Sequence, residues 1–320
     1  MISSQVRIAS RGSELALWQS RTVRDRLVEA HPELDPEIIV IRTTGDRILD
    51  VPLARIGDRG LFTKEIDEAL LDGRADLAVH SLKDVPTRLP EGLTIAAVTE
   101  RADPRDVLVG PAGQRPTLAD LPAGARIGTS SLRRRAQLKH RRPDLEIVDL
   151  RGNLNTRFAR LDEGAYDAIL LAAAGVDRLG WSDRISERLD PPEWLPAVGQ
   201  GALAIVARHD DIRIARLLEP LHHGPTAICI SAERTFLRAL EGGCQVPIGA
   251  LAEISAEQVV LHGLIADLEG EQVLRDRIEG SALDSARLGD ALAERLLGRG
   301  GGEILRSIRD ATPAPGIPGP

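Results

Sequence analysis

The chain has 320 residues, with 41 Lys and Arg against 48 Asp and Glu, a formal net charge of −7, and only 2% aromatic residues. That length exceeds one ordinary core, and the acidic balance argues against a nucleic-acid partner, which calls for a basic face and aromatic stacking platforms. No apolar run is long enough to span a bilayer, and two cysteines, Cys229 and Cys244, cannot build a disulfide framework and suit a reducing cytoplasm.

Residues 1–5 run straight into a strand-like Val6-Arg7-Ile8-Ala9, leaving no room for a signal or transit segment. The strand Val6 to Ser10 leads into a helix whose inner face carries Ala16, Ser20, Val23 and Leu27, with Ser13 placed to cap it. Ile38 to Arg42 resumes the sheet. The glycine-punctuated stretch 45–60 is too long for a simple turn, and a mobile lid and a solvated irregular loop fit it equally. Thr63 is placed to cap a helix through Ile66, Ala69 and Leu70 that Gly73 ends, and Leu77 to His80 is the next strand. A second unit opens near Asp103-Pro104-Arg105-Asp106 and has strands at Ala125 to Gly128, Glu146 to Leu150 and Asp167 to Ala172. Strands alternating with helical patterns predict parallel sheets covered by helices. Residues 190–201 read as a crossover, after which Ala202 to Ala207 returns as a strand to the first unit, making a two-lobed cleft.

Beyond residue 221 the pattern becomes a small α+β domain. Its first helix carries Ile228, Ala232, Thr235, Ala239 and Leu240, with Cys229 inside that pattern as a core residue. Strands follow at Ile248 to Glu253, Val259 to Ala266 and Val273 to Ile278, then a helix over Ala282 to Leu297 and a shorter one near Ile304 to Ile308. The expected division is 1–101 with 200–220, then 102–199, then 221–310, with a proline-bearing disordered tail at 311–320.

Arginine is concentrated in a few loops while lysine is restricted to Lys64, Lys83 and Lys139. Arg11-Gly12-Ser13, Gly128-Thr129-Ser130-Ser131-Leu132-Arg133-Arg134-Arg135 and Leu150-Arg151-Gly152-Asn153 each lie where a strand runs into a helix. Ligands of open α/β sheets gather at the carboxyl ends of the strands, so these loops predict a site for small polyanions bearing several carboxylates. Three successive helical arginines cannot all face one ligand, because neighbours point about 100° apart. Lys83-Asp84 follows a strand, and on extended backbone their side chains diverge. His80, His222 and His223 lack a zinc spacing, and no metal is expected. In Glu241-Gly242-Gly243-Cys244 the thiol follows a helix end, whose negative pole holds its proton. A one-time bond to a strong carbon electrophile suits such a thiol, while packing is the plainer use of a lone cysteine.

Taken together, Arg7-Ile8-Ala9-Ser10-Arg11-Gly12-Ser13, Gly60-Leu61-Phe62, Ala78-Val79-His80-Ser81-Leu82-Lys83-Asp84-Val85-Pro86, Gly128 to Arg134, Leu150 to Asn153, Leu195-Pro196-Ala197-Val198-Gly199-Gln200-Gly201 and the Cys244 loop resemble the porphobilinogen deaminases. The resemblance implies two periplasmic-binding-protein-like α/β domains around a cleft plus a small C-terminal α+β domain. It also implies a cytoplasmic, monomeric transferase of tetrapyrrole (haem) biosynthesis. In that family a dipyrromethane cofactor is joined by a thioether to the loop cysteine, here Cys244. Porphobilinogen loses ammonia to give an azafulvene, which the bound pyrrole attacks; four such additions precede hydrolytic release of hydroxymethylbilane.

By the same resemblance Asp84 is the catalytic carboxylate, holding pyrrole N–H groups and stabilising positive charge. Ser81, Lys83, Asp84, Thr129, Ser131, Arg133, Arg134, Arg151, Gly152, Arg157 and Gln200 would hold the cofactor, and Arg11, Ser13, Phe62, Arg151, Arg157 and Arg178 the substrate or growing chain. Arg55 and Arg59 stand where many relatives carry lysine, and Arg135 extends the usual pair, which leaves the contacts of the lid region open. The competing non-enzymatic reading is a two-lobed carboxylate-binding protein; an RNA-binding use of Arg133 to Arg135 conflicts with the acidic balance.

Overall fold

The structure, a computed structural model, describes residues 5–47, 63–240 and 246–311. In the first compact unit β1 (Gln5–Ser10) feeds α1 (Glu14–Ala30), followed by β2 (Asp35–Val40), a single turn α2 (Thr44–Arg47), α3 (Lys64–Leu71), β3 (Leu77–Ser81) and β4 (Leu93–Val98). Alternation along β1 sends Val6 and Ile8 into a core with Val23 and Leu27 of α1, while Ala9 faces Ile66, Ala69 and Leu70 of α3. Each such fully buried aliphatic side chain contributes about 1.5–3 kcal/mol. Ser13 caps α1 as expected, its Oγ accepting from the Ala16 N–H at 3.3 Å. The second strand begins three residues before its expected start and includes Pro36, which is tolerated because β2 is the sheet's edge and pairs with β1. Thr63 stands at the start of α3 but makes no side-chain bond to the helix backbone; Gly73, at φ +68°, follows its end.

The second unit contains β5 (Asp106–Val109), β6 (Arg126–Gly128), α4 (Leu132–Arg141), β7 (Glu146–Val148), α5 (Leu154–Asp162), β8 (Ala168–Ala172), α6 (Ala173–Arg178) and β9 (Ile185–Leu189). Its sheet runs β7-β6-β8-β5-β9. Both faces are covered: Val107, Val109, Ile169 and Leu171 meet Phe158 and Leu161 of α5, while Leu108, Ala168 and Leu170 meet Leu138 of α4 and Trp194. Strands buried on both faces read as continuous apolar runs rather than alternations. That is why β5 is not separable from its surroundings by pattern.

The chain then returns to the first unit as β10 (Leu203–Arg208), which lies antiparallel between β3 and β4, giving the order β2-β1-β3-β10-β4, and α7 (Ile212–Leu218) covers the α1 side of that sheet. The expectation of parallel sheets is therefore corrected. In each sheet four strands run in one direction and a single strand runs against them, β10 in the first and β5 in the second. Both are the α/β sheets that the patterning predicts.

The remaining elements are α8 (Gly224–Ala239), the antiparallel sheet β11 (Ile248–Ser255), β12 (Gln258–Ala266) and β13 (Val273–Ser281), α9 (Ser285–Leu296) and α10 (Gly302–Ala311). Phe236 and Leu240 pack with Leu261, Leu292 and Leu296 on one face of this sheet. Cys229 is buried in that same core, as the helical pattern places it. On the other face Leu251, Leu264 and Ala266 meet Ala136 of α4 and Leu195, so the small sheet shares a compact unit with the second α/β sheet. Gly270, in the β12–β13 turn, has φ +72° and lies so close to the Ala136 carbonyl that a Cβ there would collide with it.

Candidate functional site

In the first unit, β1 and β3 run parallel, so the loops that follow them lie at one edge of the sheet. The β1 loop carries Arg11 and Ser13; the β3 loop carries Ser81, Lys83 and Asp84. Residues 82–84 form a 3-10 turn rather than extended chain, fixed by the Leu82 N–H donating to the Ala202 carbonyl (3.0 Å) and the Val85 N–H donating to the Leu82 carbonyl (3.1 Å). Leu82 points into the core, which leaves Lys83 half-buried and Asp84 exposed. The divergence of Lys83 and Asp84 expected from strand geometry therefore rests on the wrong local backbone. Gln19, a polar residue on the inner face of α1, donates through Nε2 to Ser81 Oγ at 2.8 Å. Beside it, His80 is buried with no partner for Nε2 among the described residues. Burial, reinforced by the charge of Arg11, pushes its imidazole down to about 4, so the ring is neutral at physiological pH.

In the second unit, β7 and β8 both run parallel to β6, which places the loops after all three at one sheet edge. The β6 loop is stitched by hydroxyls. Thr129 Oγ1 accepts from the Ser131 N–H (3.2 Å), Ser131 Oγ caps α4 by accepting from the Arg134 N–H (3.4 Å), and Ser130 Oγ both donates to the Leu150 carbonyl (2.9 Å) and accepts from its N–H (3.1 Å). Ser130 thus ties the β6 loop to the β7 loop.

The three helical arginines separate as the 100° rule requires. Arg135 pairs with Glu269 at 2.7 Å near the surface, whereas Arg133 and Arg134 are only 5% and 6% exposed. Both buried guanidinium groups converge on Asp106. Arg133 Nη1 reaches Oδ2 at 2.6 Å, and Arg134 Nη2 and Nε reach Oδ1 at 2.7 and 3.0 Å. Trp194 Nε1 (2.8 Å) and Gln200 Nε2 (2.9 Å) donate to the same carboxylate. Burial alone would raise the Asp106 carboxyl, but the charges and hydrogen bonds of Arg133 and Arg134 overcome it and hold the group far below the ordinary carboxylate range. Arg133 is itself pushed down by burial against that compensating charge. Further donors go to carbonyls, Arg133 Nη1 to Leu195 (2.7 Å), Arg134 Nη1 to Leu170 (3.0 Å) and Gln200 Nε2 to Pro104 (2.7 Å). Asp106 was read from sequence as a boundary residue. The available signal was a carboxylate opening the apolar run Val107-Leu108-Val109, which requires a buried cation.

The β7 loop differs. Gly152 has φ +103°, and a Cβ there would stand 2.8 Å from Thr156 Cβ, so the loop needs glycine. Asn153 Oδ1 caps α5 by accepting from the Thr156 N–H at 2.9 Å, and Arg157 Nε donates back to the Gly152 carbonyl at 2.9 Å. Arg151 is half-buried, and its Nη1 is buried with no partner among the described residues. Arg178, at the end of α6, has a guanidinium that burial pushes down to about 10. A desolvated cation of this kind gains when an anion arrives. Phe62, Cys244 and most of the 45–60 lid stretch lie outside the described residues.

Residues 6–216 match the family model described as porphobilinogen deaminase, dipyromethane cofactor binding domain, and residues 227–298 match porphobilinogen deaminase, C-terminal domain. The chain is 53% identical over 305 residues to a porphobilinogen deaminase of Moorella thermoacetica, covering 95% of this chain and 97% of that protein. It is 50% identical over 318 residues to one from Syntrophotalea carbinolica, covering 99% and 100%. Among solved structures it is similar to the periplasmic VFT2 domain of Bordetella pertussis BvgS (17% identity, TM-score 0.40, 68% of this chain and 86% of that one). It is also similar to an arginine-specific periplasmic binding protein of Salmonella typhimurium (14% identity, TM-score 0.38, 73% and 93%). The two family matches and the near full-length relatives, set on these arginine-bearing loops, establish that the chain belongs to the porphobilinogen deaminase family.

Proposed function

We propose that this chain is a hydroxymethylbilane synthase that carries a dipyrromethane as a thioether on Cys244 and adds four porphobilinogen molecules to it before releasing the linear tetrapyrrole. Family membership supports the activity, and the domain description supports the cofactor. The observation that carries the residue assignment is Arg151, whose buried Nη1 lacks a partner among the described residues at a sheet edge furnished with hydroxyl groups. Such a donor set fits a group bearing several acetate and propionate side chains. When bound, that group supplies the nucleophilic pyrrole carbon.

The chain's own residues would then act as follows. Arg151, Arg157 and Arg178 neutralise carboxylates of cofactor and substrate, as Arg11 does in its own loop, Ser13 can donate its hydroxyl hydrogen, and Ser81, Lys83, Thr129, Ser131 and the close backbone approach at Gly152 complete the cofactor contacts. The exposed Asp84 carboxylate accepts ring N–H groups and stabilises positive charge developing on the deaminated ring. Arg133 and Arg134 open the helix after the β6 loop and Gln200 lies in the segment before β10, and their bonds to Asp106 hold these segments in place. Phe62 adjoins the lid in this reading. Among the described residues no helix is long and apolar enough to cross a membrane. We further assign the enzyme to the cytoplasm as a monomer without a nucleic-acid partner, on its acidic charge and its cysteine usage.

The test is incubation of purified protein with porphobilinogen, following ammonia release and hydroxymethylbilane together, beside a pyrrole-specific aldehyde colour reaction on denatured protein. Catalytic turnover with a covalent pyrrole signal that Cys244→Ser abolishes is expected. Stoichiometric capture without ammonia would favour a binding protein, and a pyrrole signal retained in the Ser variant would place the anchor elsewhere.

A further inference from the structure

The second compact unit holds a cavity of about 540 Å³ that none of the roles above uses. It opens between the last turn of α4, the Pro192–Leu195 segment and the central part of β12 and β13. Its walls bring together Arg141 and His140 from the helix and His262, Arg275 and Arg277 from the sheet, against the carboxylates of Glu193 and Asp276. Asp276 is already engaged: its Oδ1 accepts from the Arg277 N–H at 2.7 Å and its Oδ2 lies 3.5 Å from Arg299 Nη1. Among the described residues, neither Arg141 nor Arg275 has a carboxylate within ion-pair distance. Arg277 is engaged too, its Nη2 donating to Glu279 Oε2, so among the described residues Arg141 and Arg275 are the two guanidinium groups of the cavity without a carboxylate partner.

Two further features distinguish it from an ordinary solvated charge cluster. Arg275 is held in place, with Nη1 donating to the carbonyls of Pro192 (2.9 Å) and Glu193 (2.6 Å), so its fork is oriented before any ligand arrives. Burial followed by repulsion from Arg141 lowers its basicity, and burial followed by the charge of Arg277 does the same for His262. Arg141 and Arg275 are like charges kept close in a partly desolvated pocket, a standing cost that an anion relieves, while the His262 ring is neutral. The negative pole at the end of α4 accounts for His140 and Arg141 in part. It does not account for Arg275, which stands on a strand. Arg141 also lies over Trp194, its guanidinium carbon 5.8 Å from the ring centroid, a contact that restrains the side chain.

We propose that this cavity is a second ligand site, selective for small polyanions carrying carboxylate or phosphate groups, which Arg141 and Arg275 grip from opposite walls. It stands at the far end of α4 from the hydroxyl-bearing loop at Thr129–Ser131, about 15 Å away along a ten-residue helix. It is therefore distinct from the arginine loops assigned to the reaction, and it does not depend on that assignment. The volume falls within the range of small-molecule pockets.

Calorimetric titration of the intact holoenzyme with citrate and, separately, with inorganic phosphate tests the proposal and separates the two chemistries. Saturable binding near a Kd of about 1 mM or tighter is expected for at least one probe. Arg141→Ala should weaken it about tenfold or more, and Glu193→Gln should tighten it. Arg151→Leu should leave it unchanged, because that residue belongs to the other edge of the unit. Arg275→Ala is the stronger variant but also removes two bonds to backbone carbonyls, so Arg141→Ala decides the matter if the former does not fold. No saturable binding of either probe, affinity indifferent to Arg141→Ala, or binding lost in Arg151→Leu would each overturn the site.

Discussion

Two neighbouring loops of the second unit use the same side chain in opposite ways. After β6, Arg133 and Arg134 turn inward and share one buried carboxylate; after β7, Arg151 keeps a buried guanidinium nitrogen without an acceptor among the described residues. The first arrangement satisfies its charges internally, so it contributes rigidity. The second leaves a desolvated donor whose electrostatic need is met from outside. Arginine count in a loop therefore says little about ligand binding until the buried carboxylates are located.

The sharpest way to break this contrast is Asp106→Ala. It strands two buried guanidinium groups together with the Trp194 and Gln200 donors, and a loss of about 3–5 kcal/mol in unfolding free energy is expected by denaturant titration. Stability unchanged within error would show that the cluster is wetter than its burial implies. On the other loop, Arg151→Leu should retain wild-type stability while turnover and cofactor assembly fall by roughly tenfold to a hundredfold, the worth of one charge-assisted bond of about 1.5–3 kcal/mol. An unchanged rate with normal assembly would remove Arg151 from the site. Asp84→Ala supplies the matching control in the first unit: near-complete loss of turnover with intact folding, read by product formation in the purified variant.

Next in size is the backbone of the β7 loop. Gly152→Ala forces a Cβ into a left-handed position against Thr156 and should cost about 1–3 kcal/mol, with activity falling alongside because Arg157 Nε anchors to the Gly152 carbonyl. The smallest effect concerns pH. Asp106 has a depressed folded value, so its stabilisation is present above the unfolded value near about 4 and is lost as pH falls below it. Asp67 in the first unit is also buried but lacks an arginine partner of that kind, and burial raises its carboxyl to about 6. There the folded state binds the proton more tightly, so stability declines as pH rises from about 4 to about 6. Asp67→Asn should flatten that decline and gain about 1 kcal/mol at pH 7. Guanidine melts across pH 3 to 7 would expose opposite slopes for the two aspartates, and parallel slopes would contradict this account.

Much of the fold was legible because its signals are local. The cap at Ser13, the helical stripe Ser20, Val23 and Leu27, and the strands of the C-terminal sheet follow from short-range pattern. The short strand β5, covered on both faces, carries no alternation to detect, and the edge strands β4 and β9 are half-buried and short, β9 carrying Ser186, Glu187 and Arg188. Within the candidate site, Arg11-Gly12-Ser13, Lys83-Asp84 and Arg151-Gly152 were recognisable as loops at strand ends. The tethers Gln19 to Ser81, Ser130 to Leu150 and Arg133 to Asp106 were not, because each joins residues at least twenty positions apart.

By itself, then, the order of residues determined the family, the alternation of strands and helices, and which loops carry charge, since motif spacing and hydrophobic period are written along the chain. Only the tertiary structure decided which of those charges are spent internally. A guanidinium's fate depends on whether a carboxylate from another strand reaches it inside a low-dielectric core, and that pairing is a property of folded neighbours rather than of sequence neighbours.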